Sequence, residues 1–205
     1  MLKISRLLIL FTTTLILVTG CQSTANKQVE IKMKSKEEQM KRLDTYTYDD
    51  YKKVFDKAVS EANRLEEDDE QLKKWIIRTL AQEKLYFETD LTDKQVIEKS
   101  KQAMEKDKVW KDIAKKRYSI TVSEEEVNHF IEEGPDTSEL PEHRAFANAL
   151  GLSIEELNHT FDRDIYVKNA MWLKLKPKLE KKYNATDNST QLEKYEEEVE
   201  SMLNR

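Results

Sequence analysis

Apolar residues recur at three- and four-residue intervals along most of the chain, which is the spacing of one face of an α-helix. The first such stripe consists of Tyr51, Phe55, Ala58, Val59 and Ala62 and covers about three turns. Similar stripes follow at 72–87, 96–114, 127–131, 154–175 and 192–203. No alternating segment of ordinary strand length stands out, so the pattern predicts an all-α fold, a compact multi-helix domain.

Helix starts are marked by capping boxes, in which a Ser or Thr side chain and a Gln or Glu three residues later satisfy free backbone N–H groups reciprocally. The pairs are Thr92 with Gln95, Ser123 with Glu126, and Ser153 with Glu156. Gly151 is placed to end a short helix in the left-handed conformation. The apolar stripe after Ser153 predicts a long helix, and we expect Pro177 to break or kink it.

The first 20 residues have a different character. Lys3 and Arg6 precede an apolar run over 7–18, and Gly20 precedes Cys21, the only cysteine. A positive start, a short apolar middle and small residues before a cleavage point are typical of a secretory signal. The run is shorter than the about 20 residues needed to span a bilayer. A transmembrane anchor with an incidental cysteine is the alternative interpretation.

The sequence Val18-Thr19-Gly20-Cys21 resembles the lipobox of bacterial lipoproteins. The resemblance implies cleavage after Gly20 and acylation of the Cys21 thiol. Each buried acyl methylene contributes ~0.8 kcal/mol, so two or three chains would hold the protein on the membrane almost permanently. We therefore expect a signal peptide over 1–20, a flexible, lysine-rich stalk with lipidated Cys21 over 21–44, and a helical domain over 45–205, on the extracytoplasmic face of a cell membrane.

Charge and composition exclude several functions. Loss of residues 1–20 would leave 33 basic and 40 acidic residues, a net charge of −7 without a long basic run, so we expect no nucleic-acid partner. Only Gly134 and Gly151 remain after residue 20, too few for a phosphate or dinucleotide loop. An acylated Cys21 would leave no thiol for a disulfide, a nucleophile or zinc. We expect no catalytic residue, no cofactor and no enzymatic activity.

Two Glu-x-x-His motifs are the strongest candidate for metal chemistry, because paired motifs of this kind hold di-iron sites in helical bundles. They run from Glu126 to His129 and from Glu156 to His159. At about 100° per residue, all four side chains point away from the apolar faces of their helices. Both glutamates also belong to capping boxes, so we expect no metal site, and we expect His143 to be a surface histidine.

Aromatic residues on the helical stripes allow two interpretations. Trp110, Tyr118, Phe146 and Trp172 could be ordinary core residues, or they could line a crevice that accepts an apolar segment of a partner. The sequence alone does not separate the two, and these four are the candidate partner-binding residues.

Two segments resemble the N-terminal domain of SurA-like and PrsA-like chaperones. Residues 114–127 (AKKRYSITVSEEEV) resemble a helix, an Ile-x-Val-Ser link and an acidic helix start, and 149–157 (ALGLSIEEL) resemble the following helix junction. The similarity extends loosely over 70–183. It implies a helical domain that binds partly unfolded exported polypeptides. The family's parvulin domain has no counterpart here, so prolyl-isomerase activity is not expected.

Our first hypothesis is therefore a membrane-tethered, chaperone-like lipoprotein that binds segments of exported polypeptides. The alternative is a dedicated non-enzymatic accessory protein of one cell-envelope complex. Both a Gram-positive surface and a Gram-negative periplasm fit the sequence, which predicts neither the client nor the oligomeric state.

Overall fold

A computed structural model describes residues 44–204, and within that range it contains eight α-helices and no strand. The all-α expectation is confirmed. The helices are α1 (Tyr48–Arg64), α2 (Glu70–Gln82), α3 (Asp93–Tyr118), α4 (Glu124–Glu133), α5 (Pro141–Leu150), α6 (Ile154–Glu156), α7 (Arg163–Tyr183) and α8 (Asn188–Leu203). The predicted signal peptide, Cys21 and all but the last residue of the predicted stalk lie outside the described residues. Between 44 and 204, no helix is long and apolar enough to cross a bilayer.

Local sequence sets the helix ends largely as predicted. Thr92, Ser123 and Ser153 each accept a backbone N–H from the residue three positions later, and all three capping boxes are closed. Gly151 ends α5 with a φ of 71°, in the left-handed region. A fourth box, formed by Thr47 and Asp50, starts α1 and was not among the predicted ones.

Two hydrophobic clusters hold the helices together. The first packs α1 against α2, the start of α3 and α5, around Phe55 and Ile76. The second packs the end of α3 against α7 and α8, around Trp110 and Tyr195. Since α3 is 26 residues long, about 39 Å, it contributes to both. Both clusters are closed by residues between 46 and 203, and we infer that this part of the chain folds on its own.

The long helix predicted after Ser153 is divided. A π-helical turn over Leu157–Phe161 follows α6, and the next helix starts only after Asp162. The cause is tertiary: Arg78 of α2 donates to the Phe161 carbonyl at 2.9 Å and to the Asp162 carboxylate at 2.8 Å. These charged hydrogen bonds hold Phe161 and Asp162 at the position where the helix is interrupted.

The predicted break at Pro177 does not occur, because α7 continues through this residue to Tyr183. Proline lacks the N–H that would bond to the carbonyl four residues earlier, at Leu173. Both Pro177 and Leu173 lie on the exposed face of α7, so water can satisfy that carbonyl and the helix tolerates the residue.

Candidate functional site

An apolar groove of about 360 Å³ opens on the first cluster, where α1, α2, α5 and α7 meet. We call this site the groove. Its apolar and aromatic lining residues are Phe55, Ala81, Leu85, Tyr86, Leu140, Phe146 and Ile165, and its polar ones are Arg78, Gln82, Glu142, His143 and Asp162. It is a shallow, open site of the size that accepts one or two side chains of a partner.

The floor of the groove consists of aromatic rings that pack on one another. The rings of Phe55 and Phe146 lie 5.0 Å apart between centroids, and Phe146 meets Phe161 edge to face at 5.8 Å. Phe55 itself is only 4 % exposed. Because these rings pack on each other, the apolar surface they present does not depend on a bound partner to form.

The rim is formed by two apolar side chains that face solvent. Leu140 is 64 % exposed and Ile165 is 37 % exposed. Leu140 is also the N-cap of α5 and makes no side-chain capping bond, at a position where Ser, Thr or Asp would stabilise the helix by about 1 kcal/mol. This leucine serves neither the core nor the cap, and with Ile165 and the groove it forms a continuous apolar surface of the kind found at contact sites.

One carboxylate faces this apolar surface with little support. Burial raises the pKa of Glu142, although the Tyr86 hydroxyl and His143 partly offset the effect. The hydrogen bond from Tyr86 is long, at 3.5 Å. His143 is engaged elsewhere, because its Nε2 lies 2.8 Å from the Asn158 carbonyl oxygen, which can only accept. Glu142 is therefore the group in the groove that would gain most from a cationic partner.

Arg78 and Asp162, by contrast, are already satisfied. The Arg78 guanidinium bonds to Asp162 and Asp164 at 2.7–3.1 Å and stacks over Trp75 at 5.1 Å. Burial raises the pKa of Asp162. Burial acts in the same direction on Asp164, but hydrogen bonds and charge from Arg78 outweigh it and hold the pKa of Asp164 well below its usual range. Lys74 also contacts Asp164. This cluster ties α2 to α7 and engages all three guanidinium nitrogens of Arg78.

Only one of the four candidate partner-binding residues reaches the groove. Trp110 and Tyr118 are 2 % and 8 % exposed and pack in the second cluster, and Trp172 packs against them. The T-shaped contact of Tyr195 with Trp110, at 4.9 Å, shows why: α8 covers this aromatic group. Trp110 and Tyr118 are thus buried in the second cluster, Trp172 is partly buried against it, and Phe146 is the one of the four that lines the groove.

The Glu-x-x-His residues are dispersed. Glu126 and Glu156 close their capping boxes, and Glu126 also pairs with Lys174 at 2.5 Å. His129 faces Glu133 at 3.2 Å on the exposed side of α4, while the His159 Nε2 lies 2.9 Å from Asp136. Over 44–204, no three acidic, histidine or cysteine residues come together in a way that could hold a metal ion.

Sequence reasoning missed the residues that make the rim. Ile165 lies within the apolar stripe over 154–175, and Leu140 precedes the short helix that Gly151 ends. Leu140 carried a usable signal, because an apolar residue directly before Pro141 occupies a helix N-cap without capping it.

No protein-family model, curated protein or solved structure matches the chain.

Proposed function

We propose that this protein is a membrane-anchored, extracytoplasmic and non-enzymatic lipoprotein that binds segments of exported, partly unfolded polypeptides in the groove. The observation that carries the proposal is the groove itself, an apolar surface with a packed aromatic floor and two solvent-facing aliphatic side chains. The lipobox-like sequence at Cys21 and the resemblance to SurA-like chaperones support the cellular setting and the class of ligand.

The mechanism is burial of an apolar side chain of the client between Leu140, Ile165 and the Phe146 ring. Covering one aliphatic side chain contributes about 1.5–3 kcal/mol before the cost of ordering the client. Binding of this strength is weak and reversible, as expected of a protein that holds many segments briefly. The described residues carry 26 basic and 37 acidic side chains, a net charge of −11, which opposes association of the protein with itself.

The test is suppression of insulin B-chain precipitation after reduction of insulin by dithiothreitol. Residues 22–205 contain no cysteine, so the reductant does not alter the protein. The chain from residue 21 onward with Cys21→Ser should suppress precipitation at stoichiometric excess. Leu140→Ser combined with Ile165→Ser should lose most of that effect, and circular dichroism checks that the variant keeps its helical fold.

The matched control is Leu173→Ser, which removes an exposed leucine, 58 % accessible, from α7 outside the groove. Equal suppression by all three proteins, or none by any, would overturn the proposal. Crosslinking from intact cells separates the alternative: a single stable partner favours a dedicated accessory protein, whereas many weak partners favour a general binding function.

A further inference from the structure

We propose that the groove prefers one class of polypeptide segment, in which an apolar side chain enters the groove and a lysine or arginine two residues away pairs with Glu142. This inference rests on the function proposed for the groove and names the class of segment that it binds. Three observations carry it: the place of Glu142 in the groove lining, the lack of a cationic partner for it among the described residues, and its spacing from Phe146.

Glu142 is a lining residue of the groove. It lines the groove together with Leu140 and Phe146, and its side chain is partly buried. Glu142 also lies in the first turn of α5, where the helix dipole favours a negative charge. The dipole accounts for an acid at this position but not for its location against an apolar surface, where burial raises its pKa.

Glu142 differs from the other carboxylate of the groove in its partners. Asp162 receives two hydrogen bonds from Arg78, at 2.8 and 3.1 Å, and Arg78 also pairs with Asp164. Glu142 pairs with no lysine or arginine of the described part of the chain, and the Tyr86 hydroxyl reaches it only at 3.5 Å. Of the two carboxylates that line the groove, Glu142 is thus the one without a cationic partner in that part of the chain.

The charge around the groove favours a cationic ligand. The described residues carry 26 basic and 37 acidic side chains, and the exposed Glu139 directly precedes the rim residue Leu140. A lysine or arginine of a partner would donate a charge-assisted hydrogen bond to Glu142, about twice as strong as a neutral one. Because Glu142 is partly buried, salt screens this pair less than a pair on the open surface. The groove therefore favours a cationic segment over an acidic one.

The spacing on α5 sets the spacing within the ligand. Glu142 and Phe146 are four residues apart in one helix, so their Cβ atoms lie about 6 Å apart on one face. In an extended chain, side chains two residues apart share one side and are separated by about 7 Å. An extended segment with the order apolar-x-cationic therefore covers the Phe146 ring with one side chain and reaches Glu142 with the other.

The test compares two acetylated and amidated peptides, Gly-Ser-Thr-Leu-Thr-Arg-Thr-Ser-Gly and the same peptide with citrulline in place of arginine. Citrulline keeps the size of arginine and removes its charge. The protein is the isotope-labelled chain from residue 21 onward with Cys21→Ser, and the NMR shifts of the Leu140, Phe146 and Ile165 amides give the Kd. The arginine peptide should bind about tenfold more tightly. Exchange of the arginine with the threonine before it should remove most of this advantage.

Glu142→Gln isolates the proposed pair, because the two peptides should bind this variant equally well. The matched control is Glu139→Gln, which removes the same charge from an exposed residue outside the groove lining and should keep most of the preference. Since burial opposes the charged form, Glu142→Gln should unfold at the wild-type temperature or higher. Equal binding of the two peptides to the wild type, or a preference that survives Glu142→Gln, would overturn the inference.

A further measurement separates this inference from the proposed function. The Kd for fluorescein-labelled, reduced and carbamidomethylated insulin B chain, measured by fluorescence anisotropy, should rise about tenfold when Leu140→Ser is combined with Ile165→Ser. Such a rise with equal binding of the two peptides rejects the charge preference and leaves the proposed function standing. An unchanged Kd rejects the function and this inference with it. Groove amide signals that shift when the protein alone is diluted would assign the groove to a second copy and overturn both.

Discussion

Glu198 of α8 links the last helix to two others through a mostly buried carboxylate, and its neutralisation gives a sharp prediction. The carboxylate, whose side chain is 11 % exposed, receives hydrogen bonds from Arg117 at 3.0 Å, Lys182 at 3.1 Å and Tyr183 at 2.7 Å, and a further one from Tyr118. These donors belong to α3 and α7, so one side chain joins three helices. Glu198→Gln keeps its shape and removes its charge.

The magnitude follows from the pKa of this carboxyl. Burial alone would raise it, but the hydrogen bonds from Tyr118, Tyr183, Lys182 and Arg117 prevail and lower the pKa of Glu198 from 4.5 to about 2. At about 1.4 kcal/mol per pH unit, the charged form stabilises the folded state by about 3 kcal/mol. Since Arg117 and Lys182 are 41 % and 46 % exposed, solvent screens part of this, and we expect a loss of about 2–3 kcal/mol at pH 7.

The sign of the pH dependence is fixed by the direction of the shift. A depressed carboxyl pKa stabilises the protein above the unfolded value near 4.5, and that stabilisation is lost as the pH falls towards 2. The difference in free energy of unfolding between wild type and Glu198→Gln should therefore shrink by about 1 kcal/mol at pH 4 and about 2 kcal/mol at pH 3. Urea unfolding followed by circular dichroism at each pH measures it.

The neighbouring Glu197 provides the control. It is 56 % exposed and pairs with Lys194 on the same helix, so Glu197→Gln should change the free energy of unfolding by less than about 0.5 kcal/mol. Equal losses for the two variants at pH 7, or a Glu198→Gln difference that stays constant down to pH 3, would refute the reasoning.

Three further predictions test other parts of the molecule. Arg78→Met removes the guanidinium that pairs with Asp162 and Asp164 and should lower the free energy of unfolding by about 3–5 kcal/mol. Arg144→Met, on the exposed face of α5, is the control and should change this free energy little. Similar losses for the two variants would contradict the role of the buried cluster. Trp110→Phe changes a side chain that is 2 % exposed and should lower the free energy of unfolding by about 1–3 kcal/mol. The Kd for insulin B chain should stay unchanged. A higher Kd would support Trp110 as a binding residue. Cys21→Ser should abolish incorporation of alkyne-tagged palmitate in cells and move the protein from the membrane to the soluble fraction, and labelling that persists would show that the lipid lies elsewhere.

The fold was predictable because its main signals are local. A capping box such as Ser123 with Glu126 acts within one helical turn, and Gly151 adopts a conformation that its own residue type favours. These signals do not depend on which helices meet, so one sequence suffices to find them. The helical stripes likewise require only that one face is buried, whatever covers it.

The site was not predictable to the same degree because it depends on which faces meet. Trp110 and Phe146 have the same sequence signature, an aromatic residue on an apolar stripe. Tyr195 of α8 covers Trp110. Phe146 lines the groove, and no helix among the described residues covers it there. Leu140 and Ile165 are apolar in sequence and exposed in structure, and only the packing of α5 and α7 around Phe146 makes them the edges of one groove.

The division of the helix at Asp162 and the existence of the groove are one feature. Arg78 draws the Phe161 carbonyl and the Asp162 carboxylate towards α2, and both Arg78 and Asp162 line the groove. The helix that restarts there carries Ile165 within its first turn, beside the Phe146 ring. The buried charge cluster that interrupts the helical pattern therefore borders the apolar surface on which the proposed function depends.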